Sequence, residues 1–267
     1  MGNSNVISET RFPPEPTTIS ITITTTTTTT ATTTICPAGY VPTPSGTCVN
    51  TQLDFHNCGS VGYVCPSTNS SCSGGTCITR RVRLVGAVAV SALTGSNFDD
   101  SLGTITLPLS ITLYSYSSNS ITVTSNGVLC LGSCSTSYSS SSLPSANFAG
   151  PTVFGLWADL YIFAGTIQGI YYGVTGSAPN RITTFEFMES IISDPSTNNQ
   201  FQIIFYENLT NIVKCFYIET NSGTRVPTVG VQQSATGPQI TYSAGQSNPV
   251  AANTIITYNT NTGTYTL

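Results

Sequence analysis

Apolar and polar residues alternate along much of the second half of the chain. The clearest stretch is TITLPLSITL, residues 104–113, where the odd positions from Ile105 to Leu113 are Ile or Leu and four of the five even positions are Thr or Ser. A period of two predicts a strand with one buried face. Pro108 has no N–H to donate, so this strand is expected at a sheet edge or at a bulge.

A hairpin is predicted directly after this strand. SITVT, residues 120–124, and VLCLG, residues 128–132, are separated by a segment that contains Asn126-Gly127. Asn-Gly supplies the positive-φ residues of a type I′ turn, which is the strongest short hairpin signal.

Seven more strands are predicted, separated by turn clusters such as SDPSTNN (193–199) and TNSGTR (220–225), and no amphipathic helix is evident. Many short strands with regular turns indicate a sandwich or barrel. We therefore predict that residues 84–267 form an all-β, antiparallel β-sandwich of jelly-roll type. The seven strands are GIYYGVTG (169–176), RITTFEFME (181–189), FQIIFYE (201–207), NIVKCFYIET (211–220), PTVGVQQ (227–233), QITYS (239–243) and NTIITY (253–258).

Residues 36–78 are predicted to be a separate module held together by cysteines. The module has little apolar material, so it needs covalent links or a metal to fold. The only histidine of the chain is His56, and the cysteines lack the CxxC pairs of a zinc site, so disulfides are favoured over metal. Fifteen pairings are possible for the six cysteines, which are Cys36, Cys48, Cys58, Cys65, Cys72 and Cys77.

Three further cysteines lie in the predicted sandwich. Cys130 and Cys134 flank the end of the hairpin, and Cys215 lies on a later strand. We expect Cys130 and Cys134 to close a small loop, which leaves Cys215 as a buried thiol. The alternative pairs one of them with Cys215 and closes a longer loop.

Residues 1–35 form a Thr-rich, low-complexity tail that is expected to be disordered. Ser/Thr-rich tracts near proline are typical of O-glycosylated stalks, and a bare flexible linker is the alternative. The N-terminus shows no apolar core of a signal peptide, and no stretch is long enough to span a membrane. The clustered cysteines nevertheless predict an extracellular or cell-surface protein.

Charge argues against one class of partner. Only 7% of the residues are charged, and the net charge is -4. Binding to nucleic acid rests on many phosphate-neutralising Lys and Arg side chains, so no nucleic-acid partner is expected.

Two family resemblances follow from motifs. CVNTQLDFHNCGSVGYVCP (48–66), followed by SSCSGGTC (70–77), resembles the stigma-specific cysteine-rich family. From about residue 97 to 233, the succession of SNG, LWADL, a YY strand and FQIIFY resembles nidogen-type extracellular domains. That second resemblance implies a β-sandwich in an adhesive or matrix protein, generally without catalytic activity.

Residues able to support catalysis are scarce. With one histidine the usual nucleophile–base pairs are unavailable. Glu186 and Glu189 fall on opposite faces of one strand, and Asp159 is expected to stabilise a turn. The acidic stretch NFDDS (97–101) lacks the spacing of a calcium loop. No catalytic residue, cofactor or metal is therefore predicted.

The candidate ligand site is Trp157, Asp159 and Tyr161, which alternate along GLWADLY. On one face of a strand they would offer aromatic rings and an acid to a sugar. The alternative is that Trp157, the only tryptophan, anchors the core. Asn69 and Asn208 stand in N-x-S/T motifs and are candidate glycosylation sites.

These observations predict a non-catalytic extracellular protein with an adhesive or glycan-binding role, whose partners are glycans or other wall components. A structural wall or matrix component without a discrete ligand is one alternative. A glycan-active enzyme that works with carboxylates is the other.

Overall fold

The computed structural model describes residues 34–52, 54–66, 71–78 and 82–267. Most of the Thr-rich tail, and Asn69, lie outside these ranges, so the stalk and the glycan at Asn69 stay predictions. Within these ranges, the single helical element is a 3-10 turn, η1, at Phe55–Asn57. The strands are β1 (Val41–Pro42), β2 (Cys48–Val49), β3 (Ser71–Ser73), β4 (Thr76–Ile78), β5 (Val88–Thr94), β6 (Leu102–Leu113), β7 (Tyr116–Thr124), β8 (Val128–Leu131), β9 (Thr152–Trp157), β10 (Leu160–Tyr161), β11 (Gly169–Thr175), β12 (Ile182–Ile191), β13 (Asp194–Tyr206), β14 (Ile212–Glu219), β15 (Thr228–Gln232), β16 (Gln239–Ser243), β17 (Thr254–Asn259) and β18 (Thr264–Thr266).

Disulfides replace a hydrophobic core in the N-terminal module. Its four short strands form two hairpins, β1–β2 and β3–β4, and its buried side chains are mainly cysteines packed with Phe55. Each bond closes a loop of 12 to 14 residues, which stabilises a fold by roughly 3 kcal/mol in the chain-entropy model. The bonds are Cys36–Cys48, Cys58–Cys72 and Cys65–Cys77.

Two antiparallel sheets form the larger part of the molecule. The larger sheet has the order β18-β17-β14-β13-β12-β11-β5, with β10 also paired to β12. The smaller sheet has the order β16-β15-β9-β8-β7-β6. One continuous core joins side chains from both sheets, including Ile121 and Val153 from the smaller sheet and Phe187 and Ile203 from the larger. The predicted all-β antiparallel sandwich is confirmed.

Strand β6 follows its sequence pattern closely. Every odd position from Ile105 to Leu113 is buried, as the alternation predicts. The strand is the outermost of its sheet, and its pairing with β7 is irregular between Thr106 and Ile111, the stretch that contains Pro108. The missing N–H of Pro108 is therefore accommodated at an edge, as expected.

The hairpin between β7 and β8 has a different turn from the predicted one. Three residues, Ser125 to Gly127, connect the strands, and Thr124 pairs with Val128. Of the three, only Gly127 has positive φ, at 72°. The predicted type I′ turn is wrong, because a three-residue loop needs a single left-handed residue at its end.

A bulge in β9 divides its side chains between two cores. The N–H groups of Gly155 and Leu156 both donate to the Gly127 carbonyl, at 3.1 and 3.2 Å. Two residues of β9 therefore lie opposite a single residue of the β7–β8 hairpin, which defines a β-bulge. After this extra residue Leu156 still faces the main core, while Phe154 and Trp157 lie in a second cluster.

One predicted turn is a strand. SDPSTNN was expected to separate two strands, but β13 begins at Asp194 and pairs with β12 through Glu189 and Asn199. The turn is confined to the two residues before Asp194. The composition of SDPSTNN predicted a loop because Pro, Asn and Asp are poor strand residues. Its residues from Asp194 onward form a strand because they pair with the long strand β12.

Two buried glutamates on β12 have opposite environments. The Glu186 carboxylate accepts hydrogen bonds from the backbone N–H groups of Arg83 and Leu84 and from the side-chain amides of Gln200 and Gln202. Glu189 is equally buried, but neither of its carboxyl oxygens has a hydrogen-bond partner among the residues that the structure describes. Burial alone raises the pKa of Glu189 well above its usual value.

Replacing Gly127 by Ala should destabilise the sandwich by at least about 2 kcal/mol. The new Cβ would strain a positive-φ backbone and clash with the Leu156 carbonyl oxygen. Gly165→Ala is the matched control, because φ is 73° there and no atom lies within 4 Å of the added Cβ. Urea denaturation measures both. Equal losses would show that the Gly127 contact does not matter.

The free energy of unfolding should fall as pH rises above about 4.5. Below that pH Glu189 is protonated in both states, and above it only the unfolded state ionises until the raised folded pKa is reached. The slope in that window is up to about 1.4 kcal/mol per pH unit. Glu189→Gln should remove the part of this slope that Glu189 contributes, whereas Glu186→Gln should destabilise the domain. Urea denaturation of Glu189→Gln across the pH series tests this; an unchanged slope would contradict it.

Candidate functional site

A long irregular segment covers the outer face of the smaller sheet. It spans residues 132–151, between β8 and β9, and starts at a disulfide between Cys130 and Cys134. Cys215 is a buried free thiol, so of the two pairings left open by the sequence the structure has the short loop. The disulfide fixes the point at which the segment leaves the sheet.

Trp157 lies beneath this segment. Its indole is fully buried, with the ring centroid 5.2 Å from both Phe148 and Phe154, and its Nε1 donates to the Ser137 carbonyl at 2.6 Å. A side chain with no exposed surface cannot stack on a sugar. The prediction of Trp157 as a binding platform is therefore wrong, and the alternative, a core anchor, describes it.

Polar side chains from β15 fix the rest of the segment. The Gln232 amide donates to the carbonyls of Ser145 and Phe148 and accepts from the Ser145 N–H. The Thr228 hydroxyl donates to the Ser141 carbonyl at 2.7 Å. These hydrogen bonds, of which those of Gln232 are buried, give an irregular segment a defined position, which a binding surface requires.

A groove of about 290 Å³ opens where this segment meets the turn between β14 and β15. Tyr138 contributes an aromatic side chain that is 50% exposed, one residue after the carbonyl held by Trp157. The Ser140 hydroxyl bridges to the Val226 carbonyl at 2.9 Å. We call this cavity the Tyr138 groove. Its lining comprises Tyr138, Ser139, Ser140, Ala158, Asp159, Thr224, Arg225 and Val226.

An ion pair supplies the polar side of the Tyr138 groove. Asp159 Oδ2 lies 2.9 Å from Arg225 Nη2, and the two side chains are 16% and 39% exposed. Burial raises the pKa of Asp159 above its usual 3.8, and the nearby Asp99 and Asp100 add to this, while Arg225 opposes it. The Tyr138 groove therefore contains the hydrogen-bond donors of the Arg225 guanidinium next to the acceptor oxygens of Asp159.

The three residues predicted as a site are separated by the structure. Asp159 lines the Tyr138 groove, but Trp157 is below it, and the half-buried Tyr161 packs on Phe163 at a centroid distance of 4.5 Å. Alternation was assumed to continue from Trp157 to Tyr161, but β9 ends at Trp157 and a bend at residues 158–159 separates it from β10.

Two residues of the groove were missed by sequence reasoning. Tyr138 stands in a Ser-rich stretch without periodicity, and Arg225 lies in a turn 66 residues after Asp159. Neither position carries a local signal, because the two elements are brought together only by the fold.

The acidic turn also lies near Asp159. Carboxyl oxygens of Asp99, Asp100 and Asp159 all lie within 4.8 Å of one another. Asp100 accepts from the Asn126 side chain at 2.8 Å, and Asp159 is already paired with Arg225. Because exposed acidic turns commonly occur without an ion, we assign no metal to this cluster.

Asn208 is placed where a glycan has room. It is exposed in the turn between β13 and β14, and its side-chain amide donates to Asn180 at 2.7 Å. Its glycosylation stays a prediction.

Comparison with known proteins identifies the family. A family model described as NIDO related matches residues 80–266, which include the whole sandwich. No curated protein and no solved structure gave a significant match. Within the described ranges, no helix has the length and apolar character needed to cross a membrane. The match covers well over half of the chain and indicates an extracellular, matrix-type protein. The chain belongs to the NIDO-related family.

Proposed function

We propose that this protein is a non-catalytic, adhesive module that binds glycans in the Tyr138 groove. The observation that carries the proposal is the position of a half-exposed tyrosine beside the Asp159–Arg225 ion pair in a concave site. A sugar ring presents C–H groups to an aromatic face and hydroxyls to charged donors and acceptors, and these are the groups that line the groove.

The rigidity of the groove supports binding over a structural role alone. Trp157 fixes the backbone next to Tyr138, and Thr228 fixes the segment three residues further on. Preorganised side chains lose little conformational entropy when a ligand binds. A purely structural wall protein needs no such fixed concave surface.

The remaining parts of the chain fit the same role. In the arrangement we propose, residues 1–35 are a glycosylated stalk, residues 36–78 a disulfide-linked spacer, and residues 84–267 the binding domain. Glycans on Asn69 and Asn208 would add to the extracellular character. The stalk holds the groove away from the surface to which the protein is attached.

Loss of the tyrosine should abolish most of the binding. On an array of wall and matrix glycans, Tyr138→Ala and Asp159→Asn in the full chain should each weaken binding at least about tenfold. Tyr63→Ala, at a 53% exposed tyrosine of the N-terminal module, is the matched control and should bind as the unmodified protein does. Unchanged binding in both groove variants would reject the site, and absence of any bound glycan would favour the structural alternative.

Binding should also weaken on acidification. Because the pKa of Asp159 is raised, its carboxylate is protonated at a higher pH than an ordinary aspartate, and the pair with Arg225 is lost as pH falls through that pKa. Affinity measured by calorimetry across a pH series should fall in this range for the unmodified protein. Asp159→Asn should show weak binding without that dependence. The same pH profile in both proteins would contradict the role of Asp159.

A further inference from the structure

A second groove lies where the covering segment, residues 132–151, leaves the smaller sheet and returns to it. It has a volume of about 410 Å³ and opens beside the Cys130–Cys134 loop, at the tip of the β6–β7 hairpin. We call it the Tyr116 groove. None of the residues that line it is charged, and they include Tyr114, Tyr116, Gly132, Ser133, Ala149 and Gln233.

The hairpin tip is held in an unfavourable backbone conformation. Tyr114 and Ser115 have φ of 51° and 61°, a region in which Gly or Asn is usual. Their N–H groups are bound by side chains from turns next to β14 and β17, since Tyr114 N donates to Thr260 Oγ1 at 3.2 Å and Ser115 N to Asn211 Oδ1 at 2.6 Å. A bulky residue kept in such a position is a recognised indication of a functional site.

Tyr114 and Tyr116, on either side of this turn, differ in how far their side chains are exposed. Tyr114 is half-buried, and its hydroxyl donates to the Val231 carbonyl at 3.4 Å. Tyr116 is 49% exposed, and its hydroxyl oxygen is the nearest atom, at 3.8 Å, to a Cβ built on Gly132. Tyr114 therefore anchors the turn, and Tyr116 presents its ring to the groove.

Polar groups of the groove are free to bind a ligand. Over the described ranges, neither the Ser133 hydroxyl nor the Gln233 side-chain amide has a hydrogen-bond partner. Both are uncharged, so an ionic ligand would lose water without gaining a counter-charge. An uncharged ring with both C–H surface and hydroxyls matches an exposed tyrosine next to a hydroxyl and an amide.

We propose that the Tyr116 groove is a separate binding site for a neutral sugar ring, with Tyr116 as the stacking platform and Gln233 and Ser133 as hydrogen-bonding partners. The proposal does not rest on the Tyr138 groove, because the two cavities share no lining residue. The two also differ in charge, since only the Tyr138 groove contains an ion pair.

Site-resolved titration tests the proposal. The full chain, isotope-labelled and with its disulfides intact, is titrated with cellohexaose, mannohexaose and chitohexaose while amide resonances are followed. At millimolar concentrations at least one sugar should shift the amides of Gly132, Ser133 and Gly150 saturably. Tyr116→Ala should lower that affinity at least tenfold, and Tyr116→Phe should retain it.

Two further variants separate the possible failures. Ala149→Leu fills the groove from an exposed position without altering the turn, so it should also abolish the shifts even if Tyr116→Ala fails to fold. Tyr138→Ala should leave these shifts intact, which distinguishes this site from the Tyr138 groove. The proposal is overturned if no sugar shifts these amides or if Ala149→Leu leaves the shifts unchanged.

Discussion

The packing of Trp157 under the covering segment is the constraint on which the outer surface of the smaller sheet depends. Its indole fills the second cluster with Phe148 and Phe154, and its N–H binds a carbonyl of the segment above it. A sheet face covered only by an irregular segment would leave backbone polar groups without partners. Trp157 fills the apolar space between the sheet and the segment, and its indole N–H gives one backbone carbonyl of the segment a hydrogen-bond partner.

That packing depends in turn on a single extra residue in β9. Without the bulge opposite Gly127, strict alternation would not place Phe154 and Trp157 on the same outer face. The disulfide at the beginning of the covering segment and the Gln232 hydrogen bonds near its end complete its attachment. The Tyr138 groove is lined by the middle of this segment and the Tyr116 groove by its first and last residues, so the shape of both depends on the same buried contacts.

Sequence patterns predicted the parts of the fold that local physics determines. The alternation in β6 identified its buried face, and Pro108 predicted an edge strand or a bulge, of which the edge position is observed. The spacing of cysteines identified a disulfide module, although only the structure supplies the pairing. The prediction was wrong where pairing or a bulge overrides local preference, as at Asp194 in β13 and in the turn that ends at Gly127. For the candidate site, Asp159 was predicted, whereas Tyr138 and Arg225 were not, because their proximity exists only in three dimensions.

The attachment of residues 83–84 to Glu186 has a mechanical consequence. The chain enters the sandwich next to β5, which is an edge strand of the larger sheet. When an edge strand is pulled from its end, its hydrogen bonds to the neighbouring strand are expected to break one after another. The backbone N–H groups of Arg83 and Leu84 are instead bound to a buried carboxylate on β12, two strands further into the sheet. Tension arriving from the N-terminal side is therefore transmitted to the interior of the larger sheet before it reaches β5. Charge-assisted hydrogen bonds are about twice as strong as neutral ones, so we expect this attachment to withstand a pull on the chain before β5 better than a single ladder bond would.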